Sequence, residues 1–122
     1  MKPGEAFESL VDVIAKLRAP DGCPWDREQT LESLKTYVVE EAYEVVQAID
    51  DGRPEELTDE LGDLLLQVVF QARILEEQGH GGAADVCEGQ ARKLIGRHPH
   101  VFGEAEKVKD AADVLSRWEG YK

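Results

Sequence analysis

Two acid pairs, Glu41-Ala-Tyr-Glu44 and Glu60-Leu-Gly-Asp63, stand on the apolar stripes of two consecutive helix-period segments. That placement restricts the fold more than any other feature of the chain. An i, i+3 spacing projects both acids of a pair from one helical face. The first stripe reads Leu31, Leu34, Val38, Val45 and Ile49, with Glu41 in line three residues after Val38 and four before Val45. The second reads Leu57, Leu61, Leu64, Val68 and Leu75, with Glu60 three after Leu57 and four before Leu64. Carboxylates turned toward a packing face lose hydration and repel one another unless a cation sits among them. Four such acids, with no Cys or His close by, suit a hard divalent cation: Mg2+, with Mn2+ as a substitute. A single acid pair is most simply a solvated helix face. Two pairs on adjacent stripes favour a metal site. Gly62 points the same way, because a helix-interior Gly costs about 1 kcal/mol relative to Ala and admits a neighbouring backbone or a ligand.

The remaining sequence supplies helices and little else. Phe7, Leu10, Val11, Ile14 and Leu17 recur at helical spacing and predict a first amphipathic helix. The stretch 19–26 carries two prolines and a glycine and reads as a break without regular helix. Its Trp25 either contacts a ligand or plugs the end of the bundle. A second helix is expected from about Thr30 to Ile49 and a third from just after Pro54 to about Gln78, across a short turn. A fourth carries Ala84, Cys87, Ala91, Leu94 and Ile95 and ends at His98-Pro-His-Val-Phe-Gly103. A short fifth is expected near Asp110–Glu119. No strand-like alternation or internal repeat persists. The expected fold is all-α, an antiparallel helical bundle of about four to five helices. Leu64 to Phe70 is apolar on nearly every side of its helix, so oligomerisation is expected to complete the bundle.

Charge and composition exclude several classes of function. The 122 residues, 42% of them hydrophobic, fit one domain spanning 1–122. A formal net charge of −12 argues against nucleic-acid polymers and anionic membrane surfaces, which require a basic patch. It leaves room for a small phosphorylated ligand, because bound metal ions reverse the local field. Cys23 and Cys87 belong to no close-spaced motif and read as reduced thiols. The opening Met-Lys-Pro-Gly-Glu has no apolar signal region, and no apolar run is long enough to span a bilayer. The expectation is a soluble, cytoplasmic protein.

If the second and third helices pack antiparallel, the four acids come to one level across the pair. A metal held there would keep positions open for phosphate oxygens and water. Glu40, adjacent to Glu41, either orients or deprotonates that water or is simply solvated. Lys93 and Arg97, spaced i, i+4, offer cationic donors to phosphate, although bases near a helix C-terminus also complement its dipole. Trp118 or Trp25 can stack on a nucleobase or pack within the protein. His98 and His100 lack the further ligands that zinc needs, and the Glu-x-x-His motifs of di-iron bundles are absent.

These residues together resemble the MazG-type nucleoside triphosphate pyrophosphohydrolases of the all-α NTP pyrophosphatase superfamily. The matching segments are Leu17-Arg-Ala-Pro-Asp-Gly-Cys-Pro-Trp-Asp26, Gln29-Thr-Leu-Glu-Ser-Leu34, Glu40-Glu-Ala-Tyr-Glu44, Glu60 to Phe70 and Arg97-His-Pro-His-Val-Phe-Gly103. They include every position of the family's E-E-x-x-E and E-x-x-D motifs. The resemblance implies Mg2+-dependent hydrolysis of NTPs or dNTPs to monophosphate and pyrophosphate, with a role in clearing surplus or non-standard nucleotides. It implies metal ligation by Glu41, Glu44, Glu60 and Asp63, phosphate contacts from Lys93 and Arg97, and a base contact from Trp118. It also implies a homodimer or homotetramer with sites near subunit boundaries. Gly96 departs from the pattern, standing where many relatives carry a basic residue. The alternative expectation is a non-catalytic, metal-dependent nucleotide sensor.

Overall fold

The computed structural model describes residues 1–104, 107 and 109–121, the last helix without the side chains of 119 and 121. Among these residues there are seven helices and no strands: α1 (Pro3–Leu17), α2 (Pro24–Glu28), α3 (Leu31–Asp51), α4 (Pro54–Glu77), α5 (Ala83–Arg97), α6 (Pro99–Phe102) and α7 (Ala111–Tyr121). The chain is all-α. The five expected helices are present, and two short ones are added. Both additions start with proline at the first helical position, where a fixed φ and a missing N–H cost nothing. The expectation of no helix through 19–26 is therefore corrected from Pro24 onward.

Local chemistry sets the ends of the two long helices. Thr30 opens α3 with a reciprocal cap: its Oγ1 accepts from the Ser33 N–H at 3.1 Å, and Ser33 Oγ accepts from the Thr30 N–H at 2.8 Å. Gly52 closes α3 with φ of 67°, a left-handed conformation that only glycine adopts without strain. Arg53 follows and Pro54 starts α4, so a two-residue link turns the chain back and α3 and α4 pack antiparallel. Helix α1 packs on α4. Ile14, Leu34, Val69, Phe70 and Ile74 form the core, lined by Phe7, Leu10, Val11, Leu31 and Leu66.

On α3 the expected stripe faces inward from Leu31 through Leu34, Val38 and Val45, and only its last position differs: Ala48 is buried and Ile49 is 58% exposed. On α4, Gln67, Phe70 and Ile74 are buried while Leu61 and Val68 are largely exposed. A helix apolar on most sides carries no single direction in its sequence, so packing against α1 and α3 chooses its face. The faces left open in this chain carry Leu61, Leu65 and Val68 on α4 and Val39, Tyr43 and Val46 on α3.

The chain divides into two compact units, Met1–Ala83 and Ala84–Lys122. In the first, the turn after α1 is held by Gly22 N–H donating to Ala19 O at 2.7 Å and Cys23 N–H donating to Leu17 O at 2.8 Å. A Cβ at Gly22 would collide with the backbone carbonyl oxygens of Leu17 and Lys16. Gly22→Ala should therefore lower stability by about 2 kcal/mol, the usual scale of forced backbone shifts, measured by urea unfolding. Gly62 behaves oppositely. Nothing lies within 4 Å of a Cβ built there, so the expected close approach of a neighbouring backbone is not found within this chain. Gly62→Ala should raise unfolding stability by about 0.5–1 kcal/mol in the nucleotide-free protein.

Candidate metal and nucleotide site

The α3–α4 hairpin brings the acids together by symmetry of register. Glu41 stands eleven residues before Gly52 and Asp63 eleven after it, so antiparallel packing places them at one level. One carboxylate oxygen from each of Glu41, Glu60 and Asp63 lies within 4.8 Å of the others. Glu41 and Glu60 are half-buried and Asp63 is exposed. Among the described residues, no ion pair joins a Lys or Arg to any of the three. The electrostatic consequence follows directly. Desolvation, then the charges of Asp63, Glu44 and Glu40, raise the Glu41 pKa above the usual glutamate value. Desolvation and the charges of Asp63, Glu44, Glu41 and Asp59 do the same for Glu60. An uncompensated acidic cluster of oxygen donors is the environment that a divalent cation relieves, and these residues fit one.

Glu44 does not join the trio: it is exposed, and the close cluster holds only Glu41, Glu60 and Asp63. Its charge still reaches Glu41 and Glu60 and helps raise both pKa values. Glu40 is exposed beside Glu41. Trp25 is 52% exposed and meets Tyr37 edge-on at 6.2 Å between ring centroids, so it is not a buried plug at the end of the helices.

In the second unit, Arg97 and Trp118 are brought together, the guanidinium carbon 5.5 Å from the ring centroid. His98 packs edge-on against the same Trp118 ring at 5.6 Å, and its Nδ1 lies 2.6 Å from Leu94 O. Lys93 is exposed, one turn before Arg97 on α5.

The sequence offered no sign of the Arg18 clamp. Arg18 donates to both Glu77 oxygens at 2.9 and 2.7 Å and to the carbonyls of Asp26 and Gln29 at 2.6 and 3.0 Å. Its guanidinium lies 5.4 Å from the Phe70 ring centroid. It thereby fastens the α2 segment bearing Trp25 to the end of α4. Glu77 is 59 residues away, and no local spacing reports such a pair. Gln67 was likewise unforeseen: a polar residue within an apolar run, it is buried at 8% exposure.

Comparison with known proteins places this geometry in a family. The family model described as "MazG nucleotide pyrophosphohydrolase domain" matches residues 29–102, which include all four motif acids. The chain is 48% identical over 121 residues to the Thermotoga maritima protein named nucleoside triphosphate pyrophosphohydrolase/pyrophosphatase MazG, covering 98% of this chain and 48% of that protein. It is 43% identical over 117 residues to the Escherichia coli K12 nucleoside triphosphate pyrophosphohydrolase, covering 95% of this chain and 44% of that one. It is also 47% identical over 116 residues to the Bacillus subtilis protein YabN, covering 95% of this chain and 24% of YabN. The chain thus spans half or less of these relatives. A crystal structure titled as a mazG-related protein from Thermotoga maritima shares the fold, with a TM-score of 0.75 at 22% identity over 93% of this chain and 96% of that one. With its hairpin of paired acids and a family match over more than half its length, the chain belongs to the MazG nucleotide pyrophosphohydrolase domain family.

Proposed function

We propose that this chain hydrolyses nucleoside triphosphates, ribo or deoxy, to the nucleoside monophosphate and pyrophosphate in a Mg2+-dependent reaction. The observation carrying the reading is the trio Glu41, Glu60 and Asp63, whose oxygens gather within 4.8 Å with no Lys or Arg ion-paired to them among the described residues. The names of the Thermotoga maritima and Escherichia coli relatives support it. Water adds to a phosphorus of the α–β anhydride, the bridging P–O bond breaks, and the proton passes to a base. Glu41, Glu44, Glu60 and Asp63 would hold Mg2+, or Mn2+ in its place, which would supply neutralisation of the polyphosphate charge and a more acidic water. Glu40 orients the attacking water or accepts its proton. Lys93 and Arg97 bind phosphate oxygens, and Trp118 or, as the alternative, Trp25 stacks on the base.

The working unit in this reading is a homodimer or homotetramer, supported by the open apolar rows Leu61–Leu65–Val68 and Val39–Tyr43–Val46. No described helix is long and apolar enough to cross a membrane. Both cysteines are free, which agrees with a cytoplasmic setting, and the net charge of −12 disfavours nucleic-acid polymers as partners. The biological role is the removal of surplus or damaged nucleotides. Purified chain incubated with mixed triphosphates and Mg2+ should release pyrophosphate and monophosphate. Nucleoside diphosphate with inorganic phosphate would refute the reaction, and nucleotide binding without turnover would leave a sensor module instead.

A further inference from the structure

Two aromatic side chains of the first unit, Trp25 and Tyr37, touch each other while both stay open to solvent. Their rings meet at 68° with centroids 6.2 Å apart, so they form a corner and not one flat apolar surface. A planar ring laid on one wall of such a corner turns its edge to the other wall, and both contacts are arrangements that aromatic rings prefer.

The corner is fixed from behind. Gln29 Nε2 donates to the Trp25 carbonyl at 2.9 Å, and Gln29 Oε1 accepts from Ser33 Oγ at 2.9 Å. Arg18 donates to the carbonyls of Asp26 and Gln29. The five-residue α2 is thus anchored through its backbone while its one large ring is left uncovered. Such anchoring does not bury Trp25; it holds a surface ready for something that arrives.

Position indicates what arrives. Glu41 and Glu44 follow Tyr37 by four and seven residues on α3, so all three leave one side of that helix. Tyr37 stands about 6 Å, one turn, along the axis from Glu41. A ligand matching both features carries phosphates for a cation among the acids and a flat ring a short distance away, as a nucleotide does. In the second unit the Trp118 ring already meets Arg97 and His98.

We infer that Tyr37 is a nucleotide-binding residue, forming with Trp25 the corner that takes the base while Glu41, Glu60 and Asp63 serve the phosphate end. This rests on the pyrophosphohydrolase reading above and adds Tyr37 to it. Every base has a face to stack, so the corner should accept purine and pyrimidine alike.

The test is calorimetric titration in Mg2+ with the α,β-methylene analogues of ATP and UTP, and with inorganic tripolyphosphate as the ligand that lacks a base. Tyr37→Leu and, separately, Trp25→Leu should each weaken both nucleotides by about fivefold or more. Tripolyphosphate should stay within about twofold of wild type, and Tyr37→Phe, which keeps the ring, should restore nucleotide binding. A folded Tyr37→Leu with wild-type nucleotide affinity overturns the assignment. So does an equal loss for nucleotide and tripolyphosphate, which would place the effect on the acids or the fold. If Tyr37→Leu fails to fold, Trp25→Leu decides by the same two readouts. Wild type that binds neither nucleotide also overturns it, whereas wild type that binds both but releases no pyrophosphate from ATP or UTP refutes the hydrolase reading alone.

Discussion

Glu41→Gln or Asp63→Asn should reduce kcat/KM for triphosphate hydrolysis by at least about 10³-fold, the upper scale for removing one charge-stabilising group from an active site. The folded chain should survive, and in chelator it should melt at a higher temperature than wild type. The reason is the electrostatics of the trio: three carboxylates within 4.8 Å, none ion-paired to a base among the described residues, so neutralising one removes repulsion. The pH dependence gives the sign. Desolvation, Asp63, Glu44 and Glu40 raise the Glu41 pKa in the folded state. Protonated Glu41 therefore favours folding at low pH, and that contribution is lost as pH rises through the folded pKa. The Glu41→Gln advantage should be largest at neutral pH and shrink on acidification, as the wild-type carboxyl takes up its own proton. Melting curves in chelator at several pH values, alongside pyrophosphate release in Mg2+, measure both halves. Near-wild-type turnover would remove that residue from the ligand set, and an unchanged or lower melting temperature would end the repulsion account.

The second large effect is structural. Arg18→Met should cost about 3 kcal/mol of unfolding free energy, because it abandons a two-pronged contact with Glu77 and strands the Asp26 and Gln29 carbonyls. Glu77 is a third exposed at its side chain, so solvent screening tempers the ionic share and the lost hydrogen bonds carry most of the effect. The Arg18 hydrogen bond and charge, more than burial, depress the Glu77 pKa below its ordinary 4.5. This stabilisation is complete above that value and drains away as pH falls through the lower folded pKa. Glu77→Gln should therefore flatten the acid limb of the stability curve while costing about 1 kcal/mol at neutral pH. An Arg18→Met variant within about 0.5 kcal/mol of wild type by urea unfolding would show that the clamp contributes nothing. Because the clamp fastens α2, nucleotide affinity should weaken with Arg18→Met if Trp25 contacts the base.

How far the sequence reaches depends on the range of the interaction that carries the information. Helix class, the Thr30 start, the Pro54 restart and the level pairing of Glu41 with Asp63 were all legible, because capping, proline geometry and a two-residue turn act within a few residues. Pro24 and Pro99 misled in one respect only: they mark helix starts and were read as breaks. The α3 stripe was legible from Leu31 to Val45, whereas the direction of the α4 stripe was not. An α4 that is apolar on most sides satisfies many rotations equally, and only packing against Ile14 and Leu34 singled out Phe70 and Ile74 over Leu61 and Val68.

The site divides along the same line. Sequence alone determined an all-α chain with paired acids on neighbouring helices, because periodicity and turn chemistry are local. Tertiary structure decided that Glu41, Glu60 and Asp63 converge while Glu44 stands off, that Gln67 is enclosed without a partner, and that Arg18 reaches Glu77. Each of those outcomes is set by side chains distant in sequence competing for one volume and one field, a competition no local pattern records.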